Sequence, residues 1–213
     1  ETRPCHHLIG FSIDFINEIQ TTIQIIMSSE VWKIKENFGE LEQKYSLNFK
    51  SSGEIKTKLK PLLDKINFKD QLNSSFNIVY LLSNELLMNA FFHQKNVKTE
   101  RTENIELDNA VEFVIGINTR GILVKVKDTN GDFPLTKIIK SLSRGFKERA
   151  PCAKTITQAG AGLGLYFVYK MSNQLILNNT EGVGSEVICI IENAKRYKQY
   201  KQRVSSLHYS TRI

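Results

Sequence analysis

The sequence predicts an α+β fold, and three observations carry that prediction. Apolar residues recur at helical spacing through the first half of the chain. Two pairs of β-branched runs in the second half each fold about a short turn, as hairpins do. Helical stretches separate these hairpins, but not in the regular strand–helix alternation of a parallel sheet.

Taken in order, residues 8–45 read as helix. Ile16, Ile19, Ile23 and Ile26 step by three and four, and Val31, Ile34, Phe38, Leu41 and Tyr45 do the same. Ser28, Ser29 and Glu30 separate the two series, so a helical hairpin with Ser29 as a cap is expected. "NFKSSGE" (48–54) reads as a turn, and Glu54 to Ile66 as a short helix carrying Pro61. Asp70 to His93 is a strong helix, and 94–109 a polar loop. "VEFVIGIN" (111–118) and "ILVKVKD" (122–128) pair about "TRG". Pro134 opens a helix through Arg144. Residues 145–159 are a charged loop, a glycine run leads into helix 163–172, and "QLILN" (174–178) and "SEVICIIE" (185–192) form the last hairpin.

The bulk numbers narrow the class. With 213 residues, 41% hydrophobic and 24% charged, the chain suits one domain with an appendage or two small ones. No apolar run reaches the ~18 residues of a membrane span, and the start lacks a basic leader and a small-residue cleavage site. Glu1 stands where Met would, which suits a piece of something longer. Cys5, Cys152 and Cys189 are odd in number and far apart, which argues against a disulfide framework and for a reducing, cytoplasmic setting. "CHH" at 5–7 has no second Cys/His group to complete a zinc site. The net charge of +7 is mostly local: residues 193–213 hold six basic side chains and no acid, leaving +1 on the other 192. A nucleic-acid binder spreads basic groups over a folded face, so a solvated or partner-docking tail is the expectation here.

Four features carry candidate chemistry. Glu85, Asn89 and His93 are spaced by four on one helix, placing a carboxylate, an amide and an imidazole along one stripe. Solvent-facing helices also carry polar stripes, so this feature alone is ambiguous. Asp128 ends a strand, with Gly131 in the turn that follows. A carboxylate there can accept from an amino group, and glycine lets a ligand approach the backbone, although an Asx turn has the same composition. Gly160, Gly162, Leu163 and Gly164 precede a helix, whose N-terminal N–H groups favour an anion. The spacing excludes both common phosphate loops, since Leu165 stands where one needs glycine and the other lysine. Last, "EGVGSEVICI" places Ser185 at the start of a strand behind a glycine pair.

In this order the four features resemble the gyrase–chaperone–histidine kinase–MutL superfamily of ATP-binding domains, over about residues 70–192. "NELLMNA" followed by "GAGLGL" is the specific part. The resemblance implies a two-layer α/β sandwich of the Bergerat type, with a mixed, mainly antiparallel sheet preceded by N-terminal helices. It implies ATP and Mg²⁺ as cofactors. Asn89 would coordinate Mg²⁺, Glu85 would be the general base, and His93 would lie near the phosphates. Asp128 would receive the adenine amino group, supported by Ser185, with Gly131 at the pocket rim. Gly160, Gly162, Leu163 and Gly164 would wrap the phosphates, with 145–159 as a lid from which Lys147, Arg149 or Lys154 reaches the γ-phosphate.

The anti-sigma serine kinases, which phosphorylate a separate protein, look closer than the sensor kinases, because His6 and His7 lack a phosphoacceptor context. The family's Asp-x-Gly-x-Gly is here Asp128-Thr-Asn-Gly131-Asp-Phe, one residue longer and without its second glycine. The expected organisation is therefore a helical N-terminal region (1–69, a dimer seam or connector), an ATP-binding domain (70–192) and a basic tail (193–213). The expected function is Mg-ATP-dependent phosphorylation or sequestration of a partner protein, with a non-catalytic nucleotide-binding or interaction module as the alternative. Neither membrane nor nucleic acid is an expected partner.

Overall fold

The computed structural model describes residues 5–9, 19–20, 22–23, 38–66, 68, 75–94, 103–129, 133–147, 163–180, 182–193 and 205–212. Strands β1 (Cys5–Ile9) and β2 (Gln43–Ser51) come first, then helices α1 (Glu54–Asp64) and α2 (Ser75–Gln94). The hairpin β3 (Glu106–Ile117) and β4 (Gly121–Asp128) follows, then α3 (Leu135–Lys147) and α4 (Gly164–Met171). Strands β5 (Gln174–Thr180), β6 (Gly184–Glu192) and β7 (Ser206–Arg212) complete the fold. All seven strands join one sheet in the order β1-β7-β5-β6-β4-β3-β2. Only β5 and β7 run parallel, so the sheet is mixed and mainly antiparallel, in keeping with the α+β class read from the sequence.

The helices pack as one layer. α1 lies against α2 and β2, α2 against β3, β4 and α4, and α4 against α3 and β5. Between this layer and the sheet lies the main core, built on Phe49, Phe113, Ile115, Val124, Leu175, Cys189 and the inner faces of the helices. On the opposite face Phe38, with Leu41 beside it, packs on Leu123, Ile176, Ile188 and Ile190. Strands buried on both faces carry near-continuous apolar runs, which is why "ILV" (122–124) and "VICII" (187–191) are so legible. α2 is buried nearly all round, with Val79, Leu82, Leu87 and Phe91 each at 1% exposure or less.

Several sequence expectations need correction. Residues 8–45 are not helical throughout: Leu8 and Ile9 belong to β1, and Tyr45 to β2. Ile19, Gln20, Thr22 and Ile23 are helical, as expected, and the rest of 10–37 lies outside the described residues. Gly39 sits at φ +92°, a left-handed conformation through which no helix continues. Beyond it, Tyr45, Leu47 and Phe49 alternate with exposed Lys44, Ser46 and Asn48. That period of two prevails over the four-residue step from Leu41 to Tyr45. The turn expected at 48–54 is confined to Ser52 and Gly53, because β2 runs on to Ser51. The loop expected at 94–109 ends early, since β3 begins at Glu106.

The basic tail is corrected as well. Ser206–Arg212 is a strand, with Leu207 and Tyr209 buried against the helix layer at 4% exposure each. The sheet thus takes strands from all three segments into which the sequence divides.

β1 and β7 meet through an imidazole pair, with His7 Nδ1 2.9 Å from His208 Nδ1. One ring must donate and the other accept, so the accepting ring must be neutral. His208 is 1% exposed, and burial, with His7 beside it, pushes its pKa down from 6.5 to about 3. Between those values the unfolded chain binds a proton that the folded chain refuses. Stability from this site is therefore complete above pH 6.5 and declines as pH falls toward 3, by up to about 1.4 kcal/mol per unit. Urea midpoints measured from pH 7.5 down to about 5 should fall in the wild type, and the slope should flatten in His208→Leu.

Candidate functional site

The candidate site forms where α2 crosses the ends of β4 and β6. A narrow cleft there, with a free volume of about 10 Å³ or room for roughly one water, is lined by Leu86, Asn89, Ala90, Val126, Asp128, Phe133 and Val187. α2 supplies Leu86, Asn89 and Ala90 from adjacent turns. Val126 and Asp128 come from β4, two residues apart and hence on one face. Val187 on β6 lies opposite Val126. The result is an apolar slot with an amide on one wall and a carboxylate at the end.

Strand register builds the polar end. Asp128 pairs directly with Ser185 on β6, and Ser185 in turn with Asn179 on β5. Three polar side chains on neighbouring strands therefore stand in a row toward the helix layer, each at 9% exposure or less. Ser185 Oγ donates to Asp128 Oδ2 at 2.6 Å. A carboxylate has about four lone-pair sites, so this bond leaves it capacity for a further donor. Gly184 permits the close approach of β6 to β4, because a Cβ there would lie 2.4 Å from the Asp128 carbonyl oxygen.

Among the residues singled out in the sequence, the fold brings Asn89, Asp128 and Ser185 together. Glu85 is one turn from Asn89 on α2 and is not among the cleft-lining residues. Glu85 and Asn89 are only 9% and 8% exposed, so they are not the solvent-facing stripe that a surface helix carries. His93 lies in the last turn of α2. Leu163 is buried at the start of α4, and Gly164 is that helix's first residue. α4 packs on α2, which puts the glycine-run helix beside the helix of Asn89. Gly131, Gly160, Gly162, Arg149 and Lys154 lie outside the described residues. Of the expected lid, only Gly145, Phe146 and Lys147 are described, as the last turn of α3.

The apolar walls escaped the sequence reading, yet a signal for them was present. Val126 and Val187 stand two residues from Asp128 and Ser185, and strand periodicity alone puts each pair on one face. Phe133 follows the Asp128 turn and precedes Pro134, so its place is set by tertiary contacts rather than by periodicity. Asn179 also went unremarked, because the pairing of β5 with β6 had to be known first.

No family model matches the chain, and no curated protein matches it.

Gly184→Ala should force β4 and β6 apart at the cleft and destabilise the protein by about 1–3 kcal/mol, the usual cost of overpacking. Chemical denaturation measures this, and an unchanged midpoint would contradict the close approach.

Proposed function

We propose that the cleft between α2 and the ends of β4 and β6 is a Mg-ATP site of the gyrase–chaperone–histidine kinase–MutL type. The chain would then act as an ATP-dependent regulator of a partner protein. One observation carries this reading: Asn89 and Asp128, 39 positions apart in the sequence, line one cleft whose other walls are apolar. Apolar walls that end in a hydrogen-bonded carboxylate match the chemistry of a purine with an exocyclic amine, which would enter once the narrow cleft opens. The amide of Asn89 suits a hard cation, which takes oxygen ligands and keeps several waters and phosphate oxygens of its own.

In this reading Asp128 accepts from the adenine amino group, and Ser185 holds that carboxylate in place. Leu86, Ala90, Val126, Phe133 and Val187 exclude water from the faces of the base. Asn89 would hold Mg²⁺, and the ion when bound would supply charge neutralisation at the phosphates. Glu85, one helical turn away, takes the proton of the acceptor hydroxyl or water. α4, whose first residue is Gly164, would form the phosphate side, where helix N–H groups favour an anion. The acceptor is a Ser or Thr of a partner protein, and the setting is the cytoplasm. Among the described residues no helix is long and apolar enough to cross a membrane.

A second reading, a module that binds nucleotide without turnover, draws on the absence of Glu85 from the cleft lining. The two readings separate experimentally. Wild-type protein should bind ATP by calorimetry in a Mg²⁺-dependent manner, and no heat at millimolar nucleotide would refute both. Asn89→Ala should remove the Mg²⁺-dependent part of the affinity. Glu85→Gln should leave the Kd within about twofold and lower phosphoryl transfer by about 10²-fold or more, as expected of a group acting in the transition state. Wild-type binding with no turnover would favour the second reading.

A further inference from the structure

The end of the chain reads in sequence as a basic tail, but its described part is tied to the cleft. Tyr209 on β7 donates from Oη to the Phe133 carbonyl at 3.3 Å. The Phe133 N–H donates to Asn179 Oδ1 on β5 at 3.4 Å. Side chains from β7 and β5 thus engage both main-chain polar groups of Phe133, just ahead of α3. These two strands are neighbours in the parallel pairing, with Leu177 opposite Tyr209 and Asn179 opposite Thr211. The start of β7 is anchored independently. Tyr169 Oη on α4 donates to the Ser205 carbonyl at 2.8 Å, and Ser205 Oγ donates to the Ser172 carbonyl at 2.8 Å. One strand therefore reaches the cleft wall at Phe133 and the C-terminal end of the glycine-run helix.

We propose that β7 is a working part of the nucleotide site, with Tyr209 the positioning residue that sets Phe133 against the base. The inference rests on the ATP reading of the cleft. Phe133 is 7% exposed, packs in the main core and belongs to no helix or strand, so the bonds to its backbone help to fix where its ring sits. Releasing either bond loosens the ring's hold on the position that excludes water from the base. The effect falls on the base and not on the phosphates, because Phe133 shares its cleft with Asp128.

The test compares wild type with Tyr209→Phe, which keeps the buried ring and removes only the hydroxyl. ATP, ADP and adenosine should each bind about fivefold more weakly, by the same factor, as the loss of one neutral hydrogen bond implies. Inorganic tripolyphosphate, which has no base, should bind as in wild type. Asn179→Ala, which removes the other hold on Phe133, should act in the same direction. Ser205→Ala loosens the strand's anchor without touching Phe133; it should lower Tm and leave the adenosine Kd unchanged. Unchanged adenosine affinity in folded Tyr209→Phe overturns the proposal, as does an equal loss for tripolyphosphate. Absence of ATP binding in the wild type would instead remove the ATP reading itself.

Discussion

Strand β4 pairs with β6 along its whole length, from Gly121 opposite Glu192 to Asp128 opposite Ser185, and this register decides which side chains reach the helices. Ile122, Val124 and Val126 face the main core, and Asp128 continues the same face into the cleft. A slip of one residue would turn Asp128 to the opposite face and send Lys127 toward the core. The carboxylate, its serine partner and the apolar wall below them therefore stand or fall together.

The opposite face of the sheet reinforces that register. Lys125, whose side chain is 15% exposed, lies 3.3 Å from Glu112 and 3.4 Å from Glu186, on the strands to either side of β4. A solvent-exposed pair of this kind adds about 1 kcal/mol or less. Lys125 is mostly buried, however, and removing one partner from a buried charge costs more than the pair contributes. Lys125 meets both acids diagonally, since Lys127 is the residue directly opposite Glu112 and Glu186. The arrangement acts chiefly against alternatives: a one-residue slip of β4 would turn Lys125 to the other face, away from both acids. Apolar residues drive the sheet together, and two polar contacts, Asp128–Ser185 on one face and Lys125 with its acids on the other, select the alignment.

What was legible in the sequence follows from how local each feature is. Helices over Glu54–Asp64 and Leu135–Lys147, and the strands β4 to β6, were read close to their true bounds because period and turn chemistry lie within a few residues of each other, whereas β3 begins five residues before its expected start. β2 was misread because a four-residue step and a two-residue alternation overlap around Tyr45, and only pairing with β3 resolves them. β1 and β7 were missed because neither makes sense alone. Cys5–Ile9 finds its partner about 200 residues later, in a stretch whose basic approach masks a short alternation. The site divides in the same way. Glu85, Asn89, Asp128 and Ser185 stood out by residue type and order, whereas the contribution of Asn179 and Tyr209 depends on which strands lie side by side.

The late strand also explains how the two faces of the fold come to share one element. Successive residues of a strand point to opposite sides. His208 thus meets His7 on one face while Tyr209 reaches Phe133 on the other. Both contacts join distant parts of the sequence, and β7 also pairs with β5 in parallel, which needs a crossover. Contacts of such long sequence separation are costly in chain entropy and tend to form late in folding. Pairing of the hairpins β3–β4 and β5–β6 brings Asp128, Ser185 and Asn179 into their polar row, and α2 adds the facing wall of the slot. Closure of the slot at Phe133 waits for the end of the chain. A cleft completed by its last strand is most open to perturbation at that strand, and there the chemistry of the C-terminal segment bears on the site.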